Sequence, residues 1–492
     1  MIGAADLLGF QARYQADRVA AIDLPRNKYW SYAELDKTCG QCARALKNHG
    51  VELGDRVVCL AKNRVELIAL HLACARIGAI YVPINWRLAT VEIKALIEDA
   101  EPTLIIGDEL LGNVGIEGLK LESFLTQMAT LESLPYQLID SSIPSLILYT
   151  SGTSGRPKGV LLSEDNLTET AINFSLVGRL ENHSVVMSDA PMFHIIGLIT
   201  AIRPAILKGA TFIVSDGFEA ARTLKRLADP ELAVTHYFCV PIMADLIRAE
   251  PDYTPAKLKS LTALFTGGAP YAEAKIQAWV DDGIPVANGF GMSEAGTVFG
   301  MPIDINLIAA RPGSTGITTS RIKARIVDAE GQPCAIGESG ELQLTGPSIT
   351  SGYWRRPAEN DKIFTEDGWF CTGDIARCDE EGYFWIVDRL KDMYISGGEN
   401  VYPGEIESIL AQDPAIKECA VVGREDEKWG EVGHLFIVAS DPKNQLDGNA
   451  LIKSLDGKLA RFKIPKHVSV IDALPRNANG KIVKSALLEK NK

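Results

Sequence analysis

The stretch that decides the fold is SLILYTSGTSGRPKGV, residues 145–160, where an apolar run leads directly into a glycine-rich turn. Residues 149–160 contain three glycines, four Ser and Thr hydroxyls, an Arg and a Lys. Backbone amides without side-chain bulk, hydroxyl donors and a cation together form a concave site for an anion. The stretch therefore predicts a strand followed by a phosphate-binding loop. A turn-rich connection that binds nothing is the alternative.

Two familiar phosphate-binding motifs do not fit. A Walker A loop has GxxxxGK followed by Ser or Thr, but Pro157 occupies the second glycine position and Gly159 follows Lys158. The later cluster GFGMSEAG has Gly289 and Gly291, but Glu294 stands where a GxGxxG dinucleotide fingerprint has its third glycine. The phosphate loop therefore belongs to another class.

Length and charge narrow the class of protein. The chain has 492 residues, more than one hydrophobic core usually supports, so two or three domains are expected. Its net charge of −13 argues against a general nucleic-acid binder, which needs clustered cations. Charged residues interrupt its longest apolar runs, 66–84 and 194–214, so no membrane span is expected. The N-terminus lacks a secretory pattern, and a cytoplasmic location is predicted.

The cysteines do not form a secreted disulfide framework. There are nine, an odd number, scattered from Cys39 to Cys419. Cys39 and Cys42 form a CxxC pair that shares one helical face with Leu35 and Leu46, so a buried apolar pair is expected. A zinc or redox role is the alternative, although no second CxxC is present to complete a zinc site.

Alternation of short β-branched runs with helical patterns predicts an α/β protein with layered, mostly parallel sheets. Runs 55–61, 79–84, 102–107 and 210–215 are predicted strands, and 66–78 and 221–230 are predicted helices. From residue 320 onward, apolar and polar residues alternate between glycine turns. This pattern predicts an antiparallel β region.

The C-terminal part reads as a small α+β unit. A helix from Pro403, strands 418–424 and 434–440, and a helix over 451–462 are predicted there. The charged junction DRLKD, residues 388–392, is typical of a defined hinge more than of a flexible tether. We therefore expect a large N-terminal domain of layered α/β sheets plus a β region over residues 1–388, a hinge at 389–391, and a small mobile C-terminal domain over 392–492.

Seven motifs follow one another in an order that is specific to one enzyme superfamily. They are YTSGTSGRPKG (149–159), PMFHIIG (191–197), TGGAP (266–270), NGFGMSEAG (288–296), GWFCTGD (368–374), DRLKDMYISGGENVYPGEIE (388–407) and PRNANGKIVK (475–484). On these motifs the chain resembles the adenylate-forming superfamily of acyl-CoA synthetases, luciferases and peptide synthetase adenylation domains. The sixth motif is most similar to stand-alone bacterial fatty-acid CoA ligases.

The resemblance implies ATP, Mg²⁺ and coenzyme A as reaction partners. It implies that the β- and γ-phosphates of ATP are bound by Thr150, Ser151, Gly152, Thr153, Ser154, Gly155 and Lys158. It implies that the rest of the nucleotide is bound by Gly268, Ala269, Pro270, Asn288, Gly289, Phe290, Gly291, Met292, Ser293, Asp374 and Arg389. In this scheme Phe290 stacks on adenine, Asp374 accepts from the ribose and Ser293 contacts the α-phosphate. A surface salt bridge is the alternative for Arg389.

The resemblance also assigns catalytic roles. Glu294 would bind Mg²⁺, and Lys481 would neutralise charge where the α-phosphate meets the acid. Lys391 would be the hinge between the domains, and His194 would gate the site. Gly397 and Gly398 would line the pantetheine tunnel. A helix cap is the alternative for Ser293 and Glu294, and a core histidine is the alternative for His194.

The function expected from this resemblance is an AMP-forming acyl-CoA ligase. The basic residues in the segments that the superfamily places around the acid are His194, Arg203 and His236. An apolar acid, with medium- to long-chain fatty acids favoured, is therefore predicted. The alternatives are an aryl-acid or succinylbenzoate CoA ligase, an adenylating enzyme that loads a carrier protein, and a catalytically silent sensor of a nucleotide or an acyl group. The oligomeric state is not predicted.

Overall fold

The computed structural model describes residues 6–150, 157–396, 399–426, 429–441, 446–456, 458–459, 461–476 and 482–489. For Lys391, Glu399, Asn400 and Glu489 it describes the backbone. The strands are β1 Val19–Asp23, β2 Lys28–Ser31, β3 Arg56–Leu60, β4 Ile80–Pro83, β5 Leu104–Gly107, β6 Leu119–Lys120, β7 Pro144–Thr150, β8 Lys158–Ser163, β9 Val185–Ser188, β10 Thr211–Val214, β11 His236–Cys239, β12 Ala263–Thr266, β13 Val286–Met292, β14 Gly296–Gly300, β15 Ile317–Thr318, β16 Lys323–Val327, β17 Gly340–Thr345, β18 Phe370–Cys378, β19 Phe384–Arg389, β20 Tyr394–Ser396, β21 Glu399–Val401, β22 Ile416–Asp426, β23 Gly430–Ala439 and β24 His467–Val470.

Helices alternate with these strands through most of the chain. They are α1 Leu7–Tyr14, α2 Tyr32–Asn48, α3 Val65–Ile77, α4 Thr90–Ala100, α5 Leu110–Val114, α6 Leu121–Ala129, α7 Glu164–Val177, α8 Arg203–Lys208, α9 Ala220–Leu227, α10 Pro241–Arg248, α11 Glu273–Asp281, α12 Ile305–Ala310, α13 Pro357–Ile363, α14 Pro403–Leu410, α15 Gly448–Lys453 and α16 Ser485–Glu489. The strands and helices predicted before residue 230 match β3, β4, β5, β10, α3 and α9.

Two mostly parallel sheets form the larger part of the molecule. The long sheet has the order β15-β14-β13-β12-β11-β9-β10-β1-β2, and its strands from β13 to β1 are parallel. The companion sheet has the order β6-β5-β3-β4-β7-β8, with β8 antiparallel at its edge. The predicted α/β class is confirmed.

A layer of helices lies between these two sheets. Buried side chains of α2, α3, α7 and α8 form one apolar cluster with residues of both sheets. Strand β3 shows why both sheet faces are apolar: Val57 and Cys59 point into this cluster, while Val58 and Leu60 pack against α4 on the other face. Helices α9, α10 and α11 cover the outer face of the long sheet.

The antiparallel region and the C-terminal unit form separate sheets. Strands β16-β17-β18-β19 pair antiparallel, as predicted for the region after residue 320. The C-terminal sheet has the order β21-β20-β23-β22, and β24 pairs with β23. The helix expected over 451–462 is shorter: α15 ends at Lys453, because the Ser454 hydroxyl donates to the Leu451 carbonyl (2.7 Å) and competes with helix continuation.

The CxxC pair is structural, as expected. Cys39 and Cys42 lie on α2 with exposed fractions of 0% and 1%, and both are free thiols. Burial raises the pKa of both thiols, so they stay protonated at neutral pH. The pair therefore acts as small apolar residues in the layer between the sheets.

A buried ion pair lies in the same helical layer. Arg203 of α8 donates to both carboxylate oxygens of Glu164 of α7, at 2.5 and 2.6 Å. The Ser145 hydroxyl of β7 also donates to Glu164 (2.8 Å), and Arg203 lies 3.3 Å from His71 Nε2. Arg203 is 2% exposed, so its charge is compensated within the core.

We expect Arg203→Met to lower the free energy of unfolding by about 3–5 kcal/mol, because the Glu164 carboxylate is left buried without its cation. Urea unfolding followed by circular dichroism measures this. The double variant with Glu164→Leu should recover much of the loss. Arg248→Met, which breaks the more exposed Asp282 pair, should change the same quantity by less than about 1 kcal/mol. Equal losses in Arg203→Met and Arg248→Met would contradict the core role.

Candidate functional site

Several loops at one edge of the long sheet carry the residues singled out by the sequence. His194 follows β9, Val240 follows β11, Gly268 follows β12, and Asn288 is the last residue of β13 that pairs with β12. Because these strands are parallel, their carboxyl ends meet at one edge, where open α/β sheets bind ligands. Residues 268–270 are exposed there.

An apolar wall borders this edge at Gly268. The backbone of Gly268 has φ +82°, a conformation that favours glycine. A Cβ atom added at Gly268 would lie 3.8 Å from both Ile196 Cδ1 and Val240 Cγ1, and one at Gly267 would lie 3.5 Å from Phe238 Cζ. The side chains beside the glycines are therefore apolar, and the glycines leave room for a ligand.

His194 stands at the entrance to a tight turn. It precedes the π-helical turn Ile196–Thr200, and its ring centroid lies 4.7 Å from that of Phe193. The side chain is half-buried, in contrast to His236, which is 2% exposed. His194 is therefore less buried than His236, and the core-histidine alternative stays open. The gating role stays a prediction.

Glu294 lies in the turn of the β13–β14 hairpin, so the helix-cap alternative for Ser293 and Glu294 is wrong. Glu294 is 8% exposed, and the Tyr353 hydroxyl donates to its Oε1 (2.9 Å). Burial raises the pKa of Glu294 above its usual value, and a backbone hydrogen bond, the Tyr353 hydroxyl and the charges of Arg389 and Lys158 offset part of that rise. Two cationic side chains therefore act on one buried carboxylate.

The phosphate-loop prediction is only partly within the described residues. Thr150 ends β7 and pairs with Lys158 at the start of the antiparallel strand β8. Lys158 Nζ lies 5.1 Å from the centroid of the Tyr353 ring. The predicted ligands Ser151, Gly152, Thr153, Ser154 and Gly155 lie outside the described residues. A strand on each side of the loop agrees with the opening prediction.

Asp374 and Arg389 meet across two neighbouring strands. They are register partners in β18 and β19, and Arg389 Nε lies 2.6 Å from Asp374 Oδ1. Asp374 is 2% exposed, whereas the Arg389 side chain is 34% exposed. The contact is therefore a salt bridge between a partly exposed guanidinium and a buried carboxylate, and the role of Arg389 toward the ribose stays a prediction.

Phe290 and Met292 belong to the motif NGFGMSEAG, and their side chains pack against the antiparallel sheet. Both are half-buried against the apolar cluster of the antiparallel sheet, and the Phe290 ring lies 5.7 Å from that of Phe299. Gly291 is exposed, and Gly289 and Ser293 are half-buried. Stacking of Phe290 on adenine stays a prediction.

Tyr353 is the site residue that sequence reasoning missed. It lies 59 residues from Glu294 along the chain, and it carries no motif of its own in SGYWRRP. An aromatic residue beside a glycine, just before a run of cations, is the only signal that the sequence offers. The contact becomes visible when the chain folds.

The donor set suits a hard cation. Within the described ranges no group of three or more His, Cys, Asp and Glu could hold a metal. Mg²⁺ commonly takes one or two protein carboxylates and completes its shell with water and substrate phosphates. A single buried carboxylate at Glu294, close to the phosphate-loop strand, fits that requirement.

Along the described chain, no helix is long and apolar enough to cross a membrane.

Comparison with protein-family models decides the family. Residues 9–354 match the AMP-binding enzyme model, and residues 405–481 match the AMP-binding enzyme C-terminal domain. The chain belongs to the AMP-binding enzyme family. The predicted adenylate-forming superfamily and the predicted enzyme class, an AMP-forming acid–CoA ligase, are confirmed.

Similar proteins of this family act on several acids. The AMP-binding enzyme is 36% identical over 461 residues to feruloyl-CoA synthase from an Amycolatopsis species, with 92% of each chain covered. It is 34% identical to indoleacetate–CoA ligase from Aromatoleum aromaticum (92% of each). It is 32% identical to the long-chain-fatty-acid–CoA ligase FadD13 of Mycobacterium tuberculosis (93% of this chain, 92% of the other). The ATP-bound structure of MatB from Rhodopseudomonas palustris has a TM-score of 0.90 at 31% identity, with 99% of each chain covered.

The expected hinge of the AMP-binding enzyme is a short turn held by one carboxylate. Lys391 lies in the 3₁₀ turn Leu390–Asp392, between β19 and β20. Asp388 Oδ2 accepts from Gly404 N (2.6 Å) in the first turn of α14, whose own N-cap residue makes no side-chain cap bond. Asp388 therefore caps a helix on the far side of the hinge.

A second polar contact lies beside this cap. Lys484 Nζ is 2.8 Å from Glu407 Oε1, which also accepts from Val421 N at 2.7 Å. Burial raises the pKa of Asp388, and the charge of Lys484 lowers it. Three predicted site residues near these contacts in sequence lie outside the described residues: Gly397, Gly398 and Lys481.

We expect Asp388→Ala to increase the rate of trypsin cleavage after Arg389 or Lys391 about fivefold, because the loss of one helix cap weakens local structure by about 1 kcal/mol. Limited proteolysis with mass spectrometry measures the sites and rates. Asp447→Ala is the matched control, since Asp447 caps α15 away from the hinge. Equal cleavage at the hinge in both variants would contradict the proposed contact.

Proposed function

We propose that this AMP-binding enzyme joins an apolar monocarboxylic acid to coenzyme A through an acyl-AMP intermediate. One observation carries the proposal: Glu294, with Lys158 and Arg389 acting on it, lies in the hairpin that follows β13, at the edge where Gly268 and its apolar neighbours meet. A charged half and an apolar half of one site suit the two reactants, ATP and the acid.

The first half-reaction joins two anions. The acid carboxylate attacks the α-phosphate, the bond to the β-phosphate breaks, and pyrophosphate leaves with the electron pair. Positive charge and fixed geometry therefore contribute more than a nucleophilic side chain. Lys158 and the predicted loop 150–155 would hold the leaving phosphates. A Mg²⁺ ion bound at Glu294 would add charge at the phosphate oxygens.

The nucleoside is proposed to bind along the same edge. Residues 268–270 would follow the adenine, and Asp374, oriented by Arg389, would accept from the ribose hydroxyls. Support comes from the burial of Asp374 and its 2.6 Å contact with Arg389. Asn288 is held in place by its own bonds to Thr266 Oγ1 (3.2 Å) and the Ser314 carbonyl (3.2 Å).

The second half-reaction is proposed to follow a rotation at Lys391. The thiol of coenzyme A attacks the acyl carbonyl, AMP leaves, and the thioester forms. We propose that residues 1–388 and 392–492 are the two domains, with Gly397 and Gly398 on the pantetheine path and His194 beside the reacting groups. Coenzyme A as acceptor is supported by the three relatives given above, which are named as a CoA synthase or as CoA ligases. The cytoplasmic location stays a prediction.

The acid is proposed to be apolar apart from its reacting carboxylate. Arg203 is bound to Glu164 in the core, and His236 is bound to the Gly178 carbonyl (2.8 Å) and Thr235 Oγ1 (2.7 Å). Neither is available to pair with a second carboxylate, and an unpaired buried charge is strongly unfavourable. This argues against a dicarboxylate such as succinylbenzoate.

Between aryl and fatty acids, the relatives favour an aryl acid. Feruloyl-CoA synthase and indoleacetate–CoA ligase, at 36% and 34% identity, are named for aromatic acids. The sequence-based preference for a fatty acid remains the second candidate, and the 32% identity to a long-chain-fatty-acid ligase supports it. Both candidates need an apolar pocket.

We expect Lys481→Ala to slow pyrophosphate release at least about 10²-fold, the effect of losing one preorganised electrostatic donor. Thioester formation from supplied acyl-AMP should survive, because the proposed charge acts only in the first half-reaction. Separate assays of the two half-reactions measure this. Lys453→Ala, an exposed lysine at the end of α15, is the control. Normal pyrophosphate release by Lys481→Ala would remove Lys481 from the mechanism.

We expect apolar monocarboxylates to exceed dicarboxylates in kcat/KM by at least about tenfold, because Arg203 and His236 are bound elsewhere and cannot pair with the second charge. Pyrophosphate release with ferulate, indoleacetate, C4 to C12 fatty acids and 2-succinylbenzoate measures this. Within the fatty acids, each added methylene should contribute up to about 0.8 kcal/mol until the pocket ends.

The same panel separates the candidates. High values for the aromatic acids with low values along the fatty series support the aryl assignment, and the reverse supports the fatty-acid assignment. A preference for 2-succinylbenzoate would contradict the charge argument. Repeating the best acid with coenzyme A or with a carrier protein as acceptor distinguishes the two transfer reactions. Absence of pyrophosphate release with every acid would favour the sensor alternative.

A further inference from the structure

The segment 348–353 joins two elements of the site that are far apart in sequence. On one side, Ser348 Oγ donates to the Ala295 carbonyl (2.7 Å) and Thr350 N donates to the Glu294 carbonyl (2.7 Å). On the other side, Thr350 Oγ1 donates to the Leu161 carbonyl of β8 (2.5 Å). The segment therefore fixes the Glu294 turn to the strand that leaves the predicted phosphate loop.

Tyr353 is held firmly at the end of this segment. Its backbone N donates to Asn360 Oδ1 (2.7 Å), and its carbonyl accepts from Asn360 Nδ2 (3.0 Å). Its backbone also forms a bridge with Val160 of β8. Tyr353 is 9% exposed, and these backbone contacts fix the position from which its ring projects.

The side chain of Tyr353 contacts both charged groups of the site. Its hydroxyl donates to Glu294 Oε1 (2.9 Å), and its ring lies 5.1 Å from Lys158 Nζ, within the range of a cation–π contact. The hydroxyl engages one carboxylate oxygen and orients the group. The ring supports the ammonium group near the phosphate loop.

We propose that Tyr353 is a positioning residue that sets the separation between the Glu294 carboxylate and the Lys158 ammonium. This inference rests on the proposed function, because it assigns Glu294 to a divalent cation and Lys158 to the phosphates of ATP. The hydroxyl acts through Glu294, and the ring acts through Lys158. Neither group of Tyr353 takes part in bond making.

The two contributions can be measured apart. Tyr353→Phe removes the hydroxyl and keeps the ring, so the Mg²⁺ concentration that half-saturates ATP binding should rise about tenfold, as for other residues that orient a metal ligand. ATP binding in EDTA should stay at the wild-type value. Tyr353→Leu also removes the ring, so ATP binding in EDTA should weaken about threefold in addition.

The experiment is isothermal titration of ATP into the full-length protein at a series of Mg²⁺ concentrations and in EDTA. Thermal unfolding of each variant without ligand shows that it folds. Tyr253→Phe is the matched control, because the Tyr253 hydroxyl donates to Asp282 Oδ2 at 2.8 Å, away from the site. It should leave the Mg²⁺ dependence unchanged.

Two results would overturn the inference. Tyr353→Phe could show a wild-type Mg²⁺ dependence, or Tyr353→Phe and Tyr353→Leu could weaken binding equally in Mg²⁺ and in EDTA. In either case pyrophosphate release by the wild type would leave the proposed function standing. A wild type that binds no ATP at any Mg²⁺ concentration would overturn the proposed function itself.

Discussion

The Arg203–Glu164 ion pair in the helical layer is the interaction on which the arrangement of the two large sheets depends. Taking both charges out of water is unfavourable, and the two short contacts and the Ser145 hydroxyl offset that penalty. Ser145 belongs to the strand that leads into the phosphate loop, and Arg203 begins the helix that follows the His194 turn. One polar cluster thus joins the strand before the predicted phosphate loop to the helix after the His194 turn.

Charged groups at the candidate site are also held by neighbouring side chains. Among the described residues, three charged groups that the proposed chemistry uses are already bound to a neighbour: Glu294 to Tyr353, Asp374 to Arg389, and Lys158 to the Tyr353 ring. Groups held in this way need little reorganisation when charge develops during the reaction. Arg203 is bound to Glu164, and His236, whose pKa is lowered by burial, is bound to the Gly178 carbonyl, so neither places a free charge in the apolar half of the site.

Much of the fold could be predicted because its signals are local, and the motifs located the segments of the candidate site, whose roles stay predictions. Short β-branched runs that alternate with helical patterns marked the parallel strands, and the CxxC spacing on one helical face predicted two buried thiols. What failed depends on distant or competing contacts. The hairpin at Glu294 required pairing with β14, the end of α15 required a serine side-chain bond, and Tyr353 required a partner 59 residues away.

The junction at residues 389–391 shows why a proposed moving unit is held by polar contacts. In the described residues, the apolar clusters of the C-terminal sheet draw on residues from Tyr394 onward, so that unit has its own core. The contacts at the junction are the Asp388 cap on α14 and the nearby charge of Lys484. An apolar interface of similar size would resist rotation, because separation would expose its surface to water. Charged groups that separate regain hydration, which offsets part of the lost contact, and this suits an enzyme that must present two arrangements in each cycle.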